Sequence, residues 1–163
     1  MSKDRRTMPR SIDQLLKMFK VDFSPRHRQP SALQLTLATV VALVGSLLAD
    51  YLLVKLGVAV FPTTKGYAHF QPADYAKLTV VGVLIACAAW PVVTRISSAP
   101  RWLFFRLAIL VTLVLLLPDL AIWYQGQSAK GVFVLVWMHL AIALVTYNSL
   151  VRLAPVTPHG SRR

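Results

Sequence analysis

From residue 32 onward the chain is organised as long apolar runs separated by short polar breaks, not as a residue-by-residue alternation. Four runs stand out, Ala32 to Val54, Ala76 to Thr94, Leu103 to Trp123 and Gly131 to Leu150, of 23, 19, 21 and 20 residues. Each is close to the roughly 20 residues that cross a hydrocarbon core of about 30 Å. A backbone at that depth must satisfy its own hydrogen bonds, so the runs are expected to be helices; a membrane barrel would alternate polar and apolar positions instead. The expected fold is an all-α membrane protein, a four-transmembrane-helix bundle with an N-terminal amphipathic helix. The first run is too long, and preceded by too many polar residues, to suit a cleaved signal peptide.

The pattern divides the chain into a basic arm (1–31), a transmembrane domain (32–150) and a tail (151–163) in which Pro155, Pro158 and Gly160 predict disorder. In the arm, Ser11 and Gln14 have capping-box spacing, and Ile12, Leu15, Leu16 and Phe19 fall on one helical face. Lys17 and Lys20 accompany them, so the helix is expected to lie at the membrane surface or, as a sharper alternative, to dock on a partner subunit. The connection from Lys55 to Tyr75 is the longest between spans, and its apolar stretch Leu56 to Phe61 is expected to graze the membrane surface.

Composition agrees with this picture. Of 163 residues 56% are hydrophobic and 15% charged, against roughly 25% charged in soluble domains, and the mean hydropathy is +0.57. The net charge is +12, from 18 Lys and Arg against six acidic residues, all of them Asp. Fourteen of the cations fall in the arm, around the second connection (Arg95, Arg101, Arg106) and in the tail (Arg152, Arg162, Arg163). The other four are Lys55, Lys65, Lys77 and Lys130. That asymmetry predicts a multi-pass protein of the plasma (inner) membrane with both termini cytoplasmic, and it makes anionic headgroups, rather than nucleic acid, the expected partner of the basic charge. Tyr51, Tyr67, Phe70, Tyr75, Trp123 and Tyr124 would then line the outer interface and Trp90, Trp102 and Tyr147 the inner one, with Trp137 left inside the fourth span. The single cysteine, Cys87, permits no internal disulfide.

Ionisable groups at membrane depth are costly and therefore candidate functional groups. Three are present: Asp50, Asp119 and His139. The short third connection makes the third and fourth spans antiparallel neighbours. Side chains lean toward the N-terminus of their own helix, so Asp119 leans inward and His139 outward, and the two are expected to approach. A carboxylate beside an imidazole can hold and exchange a proton, or can serve only as polar glue between helices. Pro118 removes a backbone donor from the Val114 carbonyl and is expected to kink the third helix. Ala38, Ala42, Ser46 and Asp50 form a stripe at four-residue spacing that lets another helix approach closely. If the stripe faces the interior, Asp50 joins Asp119. His69 and Asp74 are too few for a metal site, and neither a metal nor an organic cofactor is expected. No phosphate loop, zinc-protease, nucleophile-elbow or dithiol motif occurs, which argues against an enzyme.

Pro118-Asp119 late in the third span and Met138-His139-Leu140 in the fourth, within four short spans, resemble a family of uncharacterised small integral membrane proteins of high-GC Gram-positive bacteria. The resemblance covers Leu33 to Leu150 and implies a four-helix bundle in the plasma membrane, with no activity or cofactor attached. Three functional readings follow. The first is an accessory or structural subunit of a larger membrane complex, or a homo-oligomer, using the basic arm and helix faces. The second is a small oligomeric transporter or proton-linked permease using the intramembrane Asp and His. The third, a lipid-directed enzyme, lacks cations to hold an anionic head beside the Asp and His.

Overall fold

The computed structural model describes residues 14–15, 18–21 and 27–158. Four helices, each long and apolar enough to cross a membrane, make up most of it: α1 (Ala32–Val60), α2 (Pro72–Ile96), α3 (Pro100–Tyr124) and α4 (Ala129–Leu153). The chain is a multi-pass membrane protein. Local chemistry sets the helix starts. Ser31 Oγ accepts from the Gln34 amide at 3.2 Å while the Ser31 amide donates to Gln34 Oε1 at 2.8 Å, a reciprocal cap on α1. Prolines open α2 and α3, where a missing amide costs nothing, and Ser128 Oγ accepts from the Gly131 amide to begin α4. Beyond α3 the chain turns at Gly126, whose φ of 88° is readily adopted only without a Cβ.

Every span is longer than the apolar pattern indicated. The longest extension at one end is at α1, where Leu56 to Val60, expected to graze the membrane surface, form its last turns and Phe61 ends it. The connection that remains, residues 61–71, carries two short 3₁₀ turns at Pro62–Thr64 and Ala68–Phe70. α3 runs unbroken through Pro118, and α2 likewise runs through Pro91.

α1 packs chiefly on α4 and also on α2, while α3 packs mainly on α4. Small residues set the closest approach. A Cβ on Gly45 would lie 2.9 Å from Val145, and one on Gly57 would lie 2.6 Å from Val134. These two contacts fix an antiparallel register. Large apolar side chains such as Leu37, Val44, Leu48, Leu84 and Leu113 remain outside, as expected where lipid is the solvent.

Two apolar cores result. One occupies the end of the bundle that carries the arm, the α2–α3 connection and the tail, called the basic end below. Its residues come from all four helices: Ala38 and Ala42, Val83, Cys87, Trp90 and Val93, Leu103 and Phe104, and Leu150. The other, at the far end, is built from Phe70, Val134, Leu135 and Met138, against which Leu53, Val54, Val58, Phe61, Tyr67 and Ile122 pack. Trp90, expected at a membrane interface, is instead fully buried; its indole donates to the Ala154 carbonyl at 2.9 Å and its ring meets Phe104 edge-on. Trp137 is half exposed on the outer face of α4, edge-on to Phe133.

The termini fold back on the basic end. His27–Arg28 (β1) pairs antiparallel with Thr157–Pro158 (β2), so the first residues after α4 are tied down by backbone bonds and are not a free tail. Lys20 and Val21 lie along the α2–α3 connection. The Lys20 carbonyl accepts from the Ser98 amide at 3.1 Å and from Ser97 Oγ at 3.0 Å, and Val21 bridges to Ser97. Of the expected amphipathic helix, Gln14, Leu15 and Met18 are helical, the Phe19 amide donates to the Leu15 carbonyl, and Leu15, Met18 and Phe19 are exposed. Ile12, Leu16 and Lys17 lie outside the described residues.

Candidate functional site

Between the two apolar cores lies a layer of polar side chains contributed by every helix. The Ala38, Ala42, Ser46, Asp50 stripe of α1 is 0% exposed along its whole length, so it faces the interior. Interpolating between the Gly45–Val145 and Gly57–Val134 contacts puts Asp50 level with the 139–141 turn of α4. From α2, Thr79 reaches the same level and its hydroxyl donates to Asp50 Oδ2 at 2.6 Å. α3 supplies Asp119, 6% exposed, and α4 supplies His139 and Thr146.

His139 Nδ1 lies 3.0 Å from the Leu135 carbonyl, one turn back on its own helix, and 3.1 Å from Asp119 Oδ2. One nitrogen carries one proton, and its direction favours the carbonyl, leaving Asp119 Oδ2 without a hydrogen bond. The Asp119–His139 contact is therefore electrostatic, with the Nδ1 proton on the Leu135 carbonyl and the Asp119 carboxyl beside it. Nε2 is the ring nitrogen left to gain and lose a proton. The His139 side chain is 26% exposed, so the pair is not sealed.

Other buried oxygens of the layer also lack partners: Asp50 Oδ1, Ser46 Oγ and Thr146 Oγ1. An unpaired polar atom inside a protein costs on the order of 1–3 kcal/mol. They fall within about two helical turns, between stretches of apolar packing on either side. Among the described residues, no three His, Cys, Asp or Glu side chains are disposed to hold a metal ion. Asp50, Asp119 and His139 thus share a layer without forming a ligand set.

A further residue overlies the layer from the far end. Tyr67, between the two 3₁₀ turns, packs its ring edge-on against His69 and Phe70. It sits so close to α4 that a Cβ on Gly131 would meet the ring at 2.8 Å. Its hydroxyl is buried without a partner. Burial, and then the Asp119 carboxylate, raise the Tyr67 phenol above its ordinary pKa. The connection therefore places one phenol within electrostatic reach of Asp119.

The sequence singled out Asp50, Asp119 and His139, and the fold brings them into one layer. Pro118, one residue from Asp119, is itself exposed and leaves α3 helical. Thr79, Tyr67 and Thr146 were not singled out. Thr79 carried the one available signal, as the hydroxyl that starts the buried series Thr79, Val83, Cys87 and Trp90 on α2. The layer is built so that protons, rather than metal ions, are what its side chains can exchange: two carboxyls, an imidazole, a nearby phenol and several hydroxyls.

No curated protein and no solved structure matches the chain. A family model does match, over residues 23–155, which takes in the last nine residues of the arm, all four spans and the start of the tail. On that match the chain belongs to the family of unknown function DUF6069.

Proposed function

We propose that this protein is a proton-linked permease of the plasma membrane, working as an oligomer, in which Asp119 and His139 carry the proton and Asp50 with Thr79 forms the adjoining station. The observation that carries this reading is the 3.1 Å approach of His139 Nδ1 to Asp119 Oδ2 in a layer shared with a second buried carboxyl. A carboxylate beside an imidazole stabilises the ring when Nε2 takes up a proton, and the position of both groups inside the bundle gives it a reason to keep side chains that lipid-facing helices exclude. Four spans are few for a monomeric carrier. Beyond Phe104, α3 buries only Thr112 and Asp119, which leaves an apolar face free for a second copy. The cation asymmetry supports a cytoplasmic basic end.

The test is proton movement into liposomes containing the full chain, followed with a trapped pH-sensitive dye under an imposed gradient. Asp119→Asn and His139→Gln are expected to slow it at least tenfold while elution volume and melting temperature in detergent stay near wild type. Unchanged rates in both folded variants overturn the proposal. So does a wild-type protein that moves protons no faster than empty liposomes.

A second reading, an accessory subunit of a larger complex, is favoured by the same uncovered α3 face together with the basic arm. It requires a stoichiometric partner protein on mild detergent extraction. A homo-oligomer without one speaks for the permease.

A further inference from the structure

The arm, the α2–α3 connection and the tail border an open cleft of about 280 Å³ at the basic end, lined by His27, Ala99, Pro100, Arg101, Trp102 and Val156. We infer that this cleft binds the headgroup of an anionic phospholipid. Its position is where such a group lies, at the first turn of α3, on the level at which the spans emerge from hydrocarbon. Its walls are mostly apolar and its surroundings cationic. Arg101 lines it directly, and the Trp102 ring is flanked by the Arg106 guanidinium at 4.0 Å and the Lys20 ammonium at 5.2 Å.

His27 forms one wall of the cleft. Its Nε2 lies 3.3 Å from the Ser98 carbonyl, and its Nδ1 is buried without a partner. No carboxylate among the described residues competes. Asp50 and Asp119 belong to the polar layer, and Asp74 stands in the first turn of α2 at the far end. Cations that meet no counter-charge among the described residues, around an apolar slot with an interfacial Trp, fit a group carrying a phosphate and a glycerol backbone together, which a free inorganic anion does not offer.

The experiment uses the full chain in neutral detergent with equal amounts of phosphatidylglycerol and phosphatidylcholine, counting retained lipid by native mass spectrometry. Wild type is expected to retain phosphatidylglycerol at least fivefold over phosphatidylcholine. Arg101→Gln is expected to reduce that preference severalfold. Val156→Trp, which fills the cleft and leaves every charge in place, is expected to abolish it, and Lys77→Gln at the far end to leave it intact. Equal retention of the two lipids overturns the inference. So does a preference that survives Val156→Trp, which means diffuse attraction to the basic end, or one displaced by millimolar inorganic phosphate, which means an anion site without a lipid requirement.

Discussion

At the basic end all four helices converge on Trp90, which touches Phe104 of α3 and hydrogen-bonds the chain just past α4. At the far end α3 gives the apolar core only Ile122. From Phe105 to Tyr124 its buried residues are two polar ones, Thr112, bonded to its own helix through the Ala108 carbonyl, and Asp119, against His139. One end is thus held by dense apolar packing and by the folded-back arm and tail. The other is held on the α3 side by a charge contact and roofed by the 61–71 connection. Dense packing has one arrangement, whereas a contact between titratable groups has as many as it has protonation states. On the proposed permease reading, rigidity belongs to the basic end and responsiveness to the far end, the division expected of a bundle that moves part of itself when a proton arrives.

The largest effect should come from breaking the rigid end. Trp90→Ala deletes a fully buried ring and its indole bond, a change worth about 3–5 kcal/mol for large aromatics in a core. Its unfolding in detergent should shift to markedly lower temperature. A Trp90→Ala protein as stable as wild type would mean that the basic end is not the structural anchor. A smaller effect is expected in the polar layer. Thr79→Val keeps the shape but leaves both Asp50 oxygens without a donor, at a cost of about 1–3 kcal/mol. Thr79→Ser restores the hydroxyl and should recover most of the loss, measured as the midpoint of thermal unfolding. If Thr79→Val is neutral, the Thr79–Asp50 bond is not what holds α2 to α1 at that level.

How much of this was legible before folding follows the same division. The Asp119–His139 approach could be read because a four-residue connection forces α3 and α4 into an antiparallel hairpin and Cβ directions do the rest. The interior stripe of α1 could be read because its small residues recur every four positions. Thr79 could not, because its meeting with Asp50 depends on the register between α1 and α2 across an eleven-residue connection, and no local spacing encodes that register. The end of α1 was missed for a definite reason. Lys55 looks like a boundary, yet its ammonium lies 5.5 Å from the Tyr51 ring one turn back, so the charge is carried along the helix surface and the helix continues to Val60. Trp90 misled for the opposite reason. A Trp near a span end usually marks an interface, but here the Ala154 carbonyl gives its N–H a partner and lets the ring enter the core.

The smallest predicted effect concerns the roof. Tyr67 has its phenol raised above the ordinary value of about 10, by burial first and by the Asp119 carboxylate second. The sign follows from linkage. Between the unfolded and the folded pKa the unfolded chain has already lost the proton that the folded chain keeps, so the stability this group contributes is full below about pH 10 and is lost as the pH rises through the folded value. Tyr67→Phe removes the titrating group and the buried hydroxyl without a partner, and keeps the ring on Phe70 and over Gly131. Melting temperatures between pH 8 and pH 11 should therefore fall less steeply for Tyr67→Phe than for wild type, with the two proteins close together at pH 8. Parallel curves would place the phenol in water and remove the roof from the comparison. The far end would then be distinguished from the basic end by the Asp119–His139 contact alone.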